Sequence, residues 1–366
     1  MNITFVFGNG FDIQVGLCSR YDQFLKTYIN FHETDSEDSE NIKIFKNYLK
    51  DSKNQELWSD AEKAMGVHLE QFSDDTLSDY TERIFDFESH MIEYLEEEQK
   101  RCSFTRSGEI KAVFLDFIRN SFEDILTKRR NDFSKDCFDK CNITYNFITF
   151  NYTNLLEKIL ECCDRVLRSR KVDNINFTEQ IGEICHIHGS LDTQVIMGVN
   201  DESQLKVNRE IAISEQLKGQ TIKPVMNLEC EHLGDVHAQR IIDESNVILI
   251  YGVSFGDTDK IWWDRICEWL RDDTNHRLVV FIKDTGVNLN KKIPWSESNY
   301  EKINRKRLLR KLGFDFNSKE FSVILEQTYI ILNTTRLNLK EIVINSPIDD
   351  EAVLDWSTLE KIFAKH

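Results

Sequence analysis

Four short segments hold residues whose types and spacing suit chemistry, and each closes an apolar run. The first is Gly8-Asn9-Gly10-Phe11-Asp12, with Gly16 and Leu17 close behind. Glycines let a backbone approach a pyrophosphate, and a following helix N-terminus favours its charge. Any tight turn after a strand also uses glycine, so both readings stand. Asp12 suits either a ribose hydroxyl or the cap of the next helix. The second segment, Thr149-Phe150-Asn151-Tyr152-Thr153-Asn154, places a carboxamide just past a strand. Asn151 offers donor and acceptor together, which orients a water or a sugar hydroxyl. The plainer alternative is a helix cap, for which Asn154 is better placed. In the third, Cys185-His186-Ile187-His188-Gly189-Ser190, an extended backbone sets both imidazoles on one face. His188, followed by Gly189 at the strand end, suits a general base near neutral pH. The fourth runs from Gly252 through Ser254 to Asp259. Gly252 and Ser254 suit the phosphate or adenosine side of a dinucleotide. Asp257 and Asp259 read as caps for the next helix, Asp259 above all.

These residues act together only if strands carry them to one place. Ile3–Phe7, Asn146–Phe150, Ile181–Ile187, Val247–Tyr251 and Leu278–Ile282 are apolar runs of strand length. Between the first two the pattern is helical. Ile84, Phe87, Met91, Tyr94 and Leu95 recur at three- and four-residue steps, as do Val113, Phe114, Phe117, Ile118, Phe122, Ile125 and Leu126 within Ile110–Lys128. Residues 33–41 read as a polar loop, Asn154–Leu167 as a helix, and Trp262, Trp263, Ile266 and Trp269 as one helix face. Strands alternating with helices predict an α/β fold, a Rossmann-like, mostly parallel sheet with a large helical insertion. Residues 1–24 and 140–366 would form the core and 25–139 the insertion. In such sheets ligands bind at the carboxyl ends of strands, where all four segments fall.

Composition narrows the function. Of the 366 residues, 63 are acidic and 46 basic, giving a net charge of −17. Residues 33–100 alone hold 20 acidic against 7 basic side chains, an acidic, solvated helical face. A nucleic-acid binder needs a basic face, so nucleic acid is not the expected partner. No run reaches the roughly 18 apolar residues of a membrane span, and Met1–Phe7 reads as a first strand rather than a signal peptide. The nine cysteines form no CxxC pair and read as reduced thiols in a cytoplasm. Cys230, His232 and His237 lie close in sequence but lack a fourth ligand, so no metal is expected.

In this order the segments resemble the AbiH family of bacterial abortive-infection proteins. Gly8 to Leu17 with Tyr21 to Phe24, Trp58-Ser59-Asp60-Ala61-Glu62, Phe150 to Asn154, Ile187 to Ser190 and Gly252 to Asp259 carry the likeness, over most of residues 1–270. Trp58 and Glu62, one helical turn apart, read as a structural block fixing the insertion against the core. AbiH proteins are in turn similar to sirtuin-like NAD-binding domains. That likeness implies a glycine turn at Gly8 and Gly10 under the NAD pyrophosphate, with Asn9, Phe11, Thr149 and Gly189 alongside. It implies that Asn151 positions water or the nicotinamide ribose and that His188 polarises a ribose hydroxyl. Gly252 and Ser254 would meet the adenosine side, and Asp12 would support the developing cation. The expected activity is hydrolysis of NAD to nicotinamide and ADP-ribose, without metal, in a cytoplasmic anti-phage effector. Departures are visible: the zinc CxxC pairs of sirtuin deacylases are missing, so deacylation is not expected. Thr153 stands where an Asp is usual, and Asn9 where a small residue is common. Two alternatives remain, a nucleotide-sensing or interaction protein without turnover and a nuclease effector. Expected partners are NAD or a related nucleotide, a phage-encoded trigger and further copies of the chain.

Overall fold

The apolar run at the N-terminus becomes the central strand, β1 (Asn2–Phe7), buried on both faces. Its side chains alternate: Ile3, Phe5 and Phe7 enter one core and Val6 the other. The computed structural model describes residues 1–30, 38–51, 60–125, 129, 140–207, 213–282, 294–332 and 336–344. Trp58, Ser59, Leu126 to Lys128 and residues 33–37 of the expected loop lie outside the described residues. Six more strands join β1, namely β2 (Ile143–Thr149), β3 (Val166–Val172), β4 (Ile175–His186), β5 (Val247–Tyr251), β6 (Arg277–Ile282) and β7 (Thr328–Leu332). Their order across the sheet is β3-β4-β2-β1-β5-β6-β7. Every neighbouring pair is parallel except β3 with β4. The fold is therefore α/β and Rossmann-like.

The chain steps from β1 out to β2 and β4, then returns to lay β5 on the other side of β1. The connections leaving the carboxyl ends of β1 and β5 thus run to opposite sides and open a crevice between them. On one face, the helices Ser107–Asn120 and Leu155–Glu161 cover Phe5, Phe7 and Phe147. On the other, Gly234–Asp243 and Lys260–Asp272 cover Val6, Ile148 and Ile250 with Ile241, Trp263 and Trp269. A third core lies among the helices between β1 and β2, chiefly Tyr21–Asn30, Glu40–Lys50, Ala61–His68 and Leu77–Lys100. Met197, Val199, Leu217 and Ile222, from the segment after β4, complete it. No helix among the described residues is long and apolar enough to cross a membrane.

Several element bounds differ from the sequence expectation. The helix expected over Asn154–Leu167 ends at Glu161, because Val166–Val172 turns back as β3 on β4. Asp173 and Asn174 make that turn with φ of 50° and 66°, a conformation these two residue types tolerate. As an edge strand β3 is largely exposed and carries Arg168 and Lys171, which discourage a further strand from pairing. β4 is accordingly longer than the run Ile181–Ile187 and stops at His186, leaving His188 in the loop beyond. The polar stretch ends sooner than expected, since Ser39 caps a helix that begins at Glu40. The expected Ile110–Lys128 helix gives way to a tighter turn at Ser121–Asp124.

Candidate functional site

At the crevice the loops after β1 and β5 are bonded to each other. The Gly8 amide donates to Tyr251 O at 3.0 Å and the Gly10 amide to Gly252 O at 2.8 Å. A Cβ on Gly8 would stand 2.8 Å from Gly252 O, and one on Gly10 would overlap Gly252 Cα. Gly252 itself has φ +71°, and a Cβ there would lie 2.6 Å from the Phe11 amide nitrogen. The glycines are thus required by one another, and the Gly8 and Gly10 amides are already engaged. Asn9 secures the turn, its Nδ2 donating to Ser19 O at 2.8 Å while its Oδ1 accepts from the Ser19 hydroxyl.

Asp12 does not cap the helix Gly10–Val15; it sits inside the first turn, 2% exposed. Its carboxylate accepts from Asn151 Nδ2 at 2.8 Å and from Thr153 Oγ1 at 2.6 Å. Burial pushes the Asp12 carboxyl up to about 7, although the Thr153 and Asn151 hydrogen bonds pull it down. Thr153 therefore supplies a donor where a second carboxylate would repel Asp12. Asn151 is fixed from the other side as well: its amide nitrogen donates to Thr149 Oγ1, and its carbonyl accepts from His186 Nδ1 at 3.0 Å. His186 pairs through Nε2 with Glu157 and so supports the Asn151 loop from outside the cleft. Asn154 occupies the N-cap position of the next helix without bonding a helix amide.

His188 is 4% exposed, and its Nε2 lies 2.8 Å from Asp259 Oδ1. The same Asp259 oxygen accepts from Lys223 Nζ at 2.9 Å, and Lys223 also donates to Glu62 Oε2 at 2.7 Å. Tyr152 completes the chain by donating to Glu62 Oε1 at 2.9 Å. Burial alone would raise the Asp259 carboxyl, but the adjacent Lys223 ammonium and His188 imidazole hold it well below the usual carboxylate range. Burial likewise opposes the Lys223 charge, and the Asp259 and Glu62 carboxylates more than offset it. An ionised Asp259 only accepts, so Nε2 of His188 carries a proton, and in the neutral ring Nδ1 presents a lone pair. That Nδ1 is buried and has no hydrogen-bond partner. The expectation that Asp259 caps its helix is corrected here: it occupies the cap position, but its side chain turns to His188 and Lys223. Asp257 instead pairs with Lys63 at 2.6 Å.

A cleft of about 790 Å³ opens over these groups, a size suited to a small molecule or dinucleotide. Gly8, Asn9, Gly10, Asp12, Asn151, His188, Gly252 and Ser254 all line it. Three expected residues do not. Phe11 is fully buried, its ring 4.4 Å from that of Phe7 in the core. Thr149 is spent on the Asn151 amide. Gly189, at φ +70°, serves a turn against Gln194. Glu62, Tyr152 and Asp259 join the lining, with Tyr21 and Asp60. Burial and the carboxylates of Glu62, Asp60 and Asp259 push the Tyr21 phenol well above its ordinary range. This wall of the cleft is acidic, and Lys311 reaches the Ser254 loop by donating to Ser254 O at 2.6 Å.

Of the residues missed by sequence reasoning, Glu62 stood in a block read as structural, and Lys223 carried no signal. Among the described residues no three His, Cys, Asp or Glu side chains are grouped to hold a metal ion. His232 points to Ile187 O and His237 to Glu183, while Cys230 is exposed.

The sheet order and the position of the cleft define a Rossmann-like α/β protein with a cleft at its topological switch point. The family model described as bacteriophage abortive infection AbiH matches residues 4–281. The chain belongs to the AbiH family, and its role is in abortive infection by phage. The comparison with curated proteins returned no match.

Proposed function

We propose that the cleft binds NAD and hydrolyses its nicotinamide–ribose bond. The observation that carries this reading is His188, whose Nε2 is anchored on Asp259 while Nδ1 has no hydrogen-bond partner, on the lining of the same cleft as Asp12, Asn151 and Thr153. An imidazole so held accepts a hydrogen bond from a ribose hydroxyl and shifts electron density toward the anomeric carbon. The glycosidic electron pair leaves with nicotinamide, whose ring nitrogen changes from cationic to neutral. Water adds its hydroxyl to the ribose carbon and releases one proton, giving ADP-ribose. Asn151 holds the water or the ribose, and the Asp12 carboxylate offsets the positive charge that develops there. The acidic residues of the lining, Asp60, Glu62 and Asp259, suit the cationic nicotinamide ring. Depletion of NAD then arrests the infected cell before phage are released. The likeness of the sequence blocks to sirtuin-like domains supports the same assignment.

One set of contacts favours a second reading, a nucleotide sensor without turnover. The Asn151 amide group and the Gly8 and Gly10 amides already have protein partners. A time course of NAD with wild type, Asn151→Ala and His188→Ala, followed by mass-resolved chromatography, separates the two. Nicotinamide and ADP-ribose are expected with wild type, with turnover at least about 100-fold lower in each variant. Intact NAD with all three, in buffer and in infected-cell extract, together with calorimetric binding, would establish the sensor instead.

A further inference from the structure

We infer that Glu62 and Lys223 are positioning residues through which the helical segment between β1 and β2 sets the charge state of His188. Four groups from four separate parts of the chain meet here. Glu62 comes from the helix Ala61–His68, Lys223 from the start of the helix Lys223–Glu229, His188 from the loop after β4 and Asp259 from the loop after β5. Glu62, Lys223 and His188 are 6%, 3% and 4% exposed, so solvent screens their interactions little. One oxygen, Asp259 Oδ1, serves both Lys223 and His188, and Lys223 Nζ lies 3.3 Å from His188 Nε2. Glu62 draws part of the ammonium away from that shared oxygen. Tyr152 in turn fixes Glu62, tying the helical segment to the loop that carries Asn151.

The charges decide what this arrangement does. Two carboxylates and one ammonium leave a single negative charge, which one imidazolium or one cationic substrate ring balances. The other ionisable groups facing the network include Asp60, beside Glu62 and Asp259, the Tyr21 and Tyr152 phenols, both held un-ionised by burial and the same carboxylates, and Glu88, whose carboxyl burial and the Glu62 charge push up to about 8. Without the Glu62 charge, Lys223 and Asp259 cancel, and an imidazolium would be an unbalanced buried cation. Displacing the Ala61–His68 helix has the same consequence, so a trigger acting on the helical segment is felt at His188 without touching the sheet.

The test uses the full chain as wild type, Glu62→Gln, Lys223→Met and the double variant. His188 protonation is followed by imidazole NMR, with His188→Gln to assign the signal; this readout needs no substrate. The pH dependence of NAD turnover is followed in parallel and rests on the hydrolase reading. Glu62→Gln is expected to move the His188 titration and the acid limb of turnover down by about one pH unit. Lys223→Met is expected to move both upward, and the double variant, with its single negative charge restored, to return close to wild type. Glu62→Gln keeps Lys223 paired with Asp259, and the double variant removes both buried charges together, so these two decide the test even if Lys223→Met, which leaves two buried carboxylates without their cation, does not fold. An unmoved titration in Glu62→Gln, or a double variant that does not return toward wild type, overturns the inference. Absence of NAD turnover in wild type overturns the hydrolase reading alone, because the titration still decides this one.

Discussion

A buried carboxylate is costly unless its partners stabilise the charge, and Asp12 is the residue where that balance is closest. Its two partners, Asn151 and Thr153, both donate, yet burial raises its carboxyl from the ordinary 3.8 to about 7. The folded state therefore holds the proton more tightly than the unfolded chain. Stability from this group is full below about pH 4 and is lost as pH rises through about 7. Asp12→Asn removes the titration, and Thr153 can turn its hydroxyl to accept from the new amide. The variant is expected to match wild type at pH 4.5 and to be more stable by a few kcal/mol at pH 8, as read by denaturant unfolding. Its NAD turnover is expected to be lower and to lose the rise through pH 7 that the Asp12 anion gives wild type. A stability difference that does not change with pH would show that Asp12 is not protonated in the folded protein.

Two loops, those after β1 and β5, form the floor of the cleft, and their close approach depends on three glycines. Each Cβ that Gly8, Gly10 or Gly252 lacks would fall on backbone of the facing loop, which cannot rotate away as a side chain can. Gly10→Ala must therefore separate the loops or strain them. A loss of about 2–4 kcal/mol is expected by thermal or chemical unfolding, with NAD affinity falling alongside. Gly108 offers an internal contrast, because no atom lies within 4 Å of a Cβ built there and its backbone is not left-handed. Unchanged stability in Gly10→Ala would mean that the loops are not held together as described. The cleft floor is thus a property of paired elements rather than of the glycine turn alone.

Across the whole molecule the charge is −17, and the cleft carries its own acidic wall of Asp12, Asp60, Glu62 and Asp259, with Lys223 buried behind. A ligand with a cationic ring is favoured there over the same ligand with a neutral ring. In His188→Ala, which is expected to bind without turnover, NAD should raise the melting temperature more than NADH at equal concentration. At a hundred times the dissociation constant the stabilisation is about 2.7 kcal/mol. Equal shifts for the two forms would place the nicotinamide end elsewhere in the cleft.

The sequence alone determined the sheet-forming runs, because a buried strand needs consecutive apolar residues and a turn after it: Ile3–Phe7, Val247–Tyr251 and Leu278–Ile282 all lie within observed strands. It also determined which loops gather at one end, since in a parallel sheet every strand-end segment faces the same way. It misjudged Asn154–Leu167, where helical period and the pattern of an exposed edge strand are alike until pairing with β4 separates them. Only the tertiary structure decided what the polar residues do. Glu62, Lys223, His188 and Asp259 lie up to 197 positions apart, and no local spacing announces that one ammonium will be shared between two carboxylates beside an imidazole. Asp259 shows the limit most clearly: its sequence position is that of a helix cap, and the fold offers it a buried Lys instead.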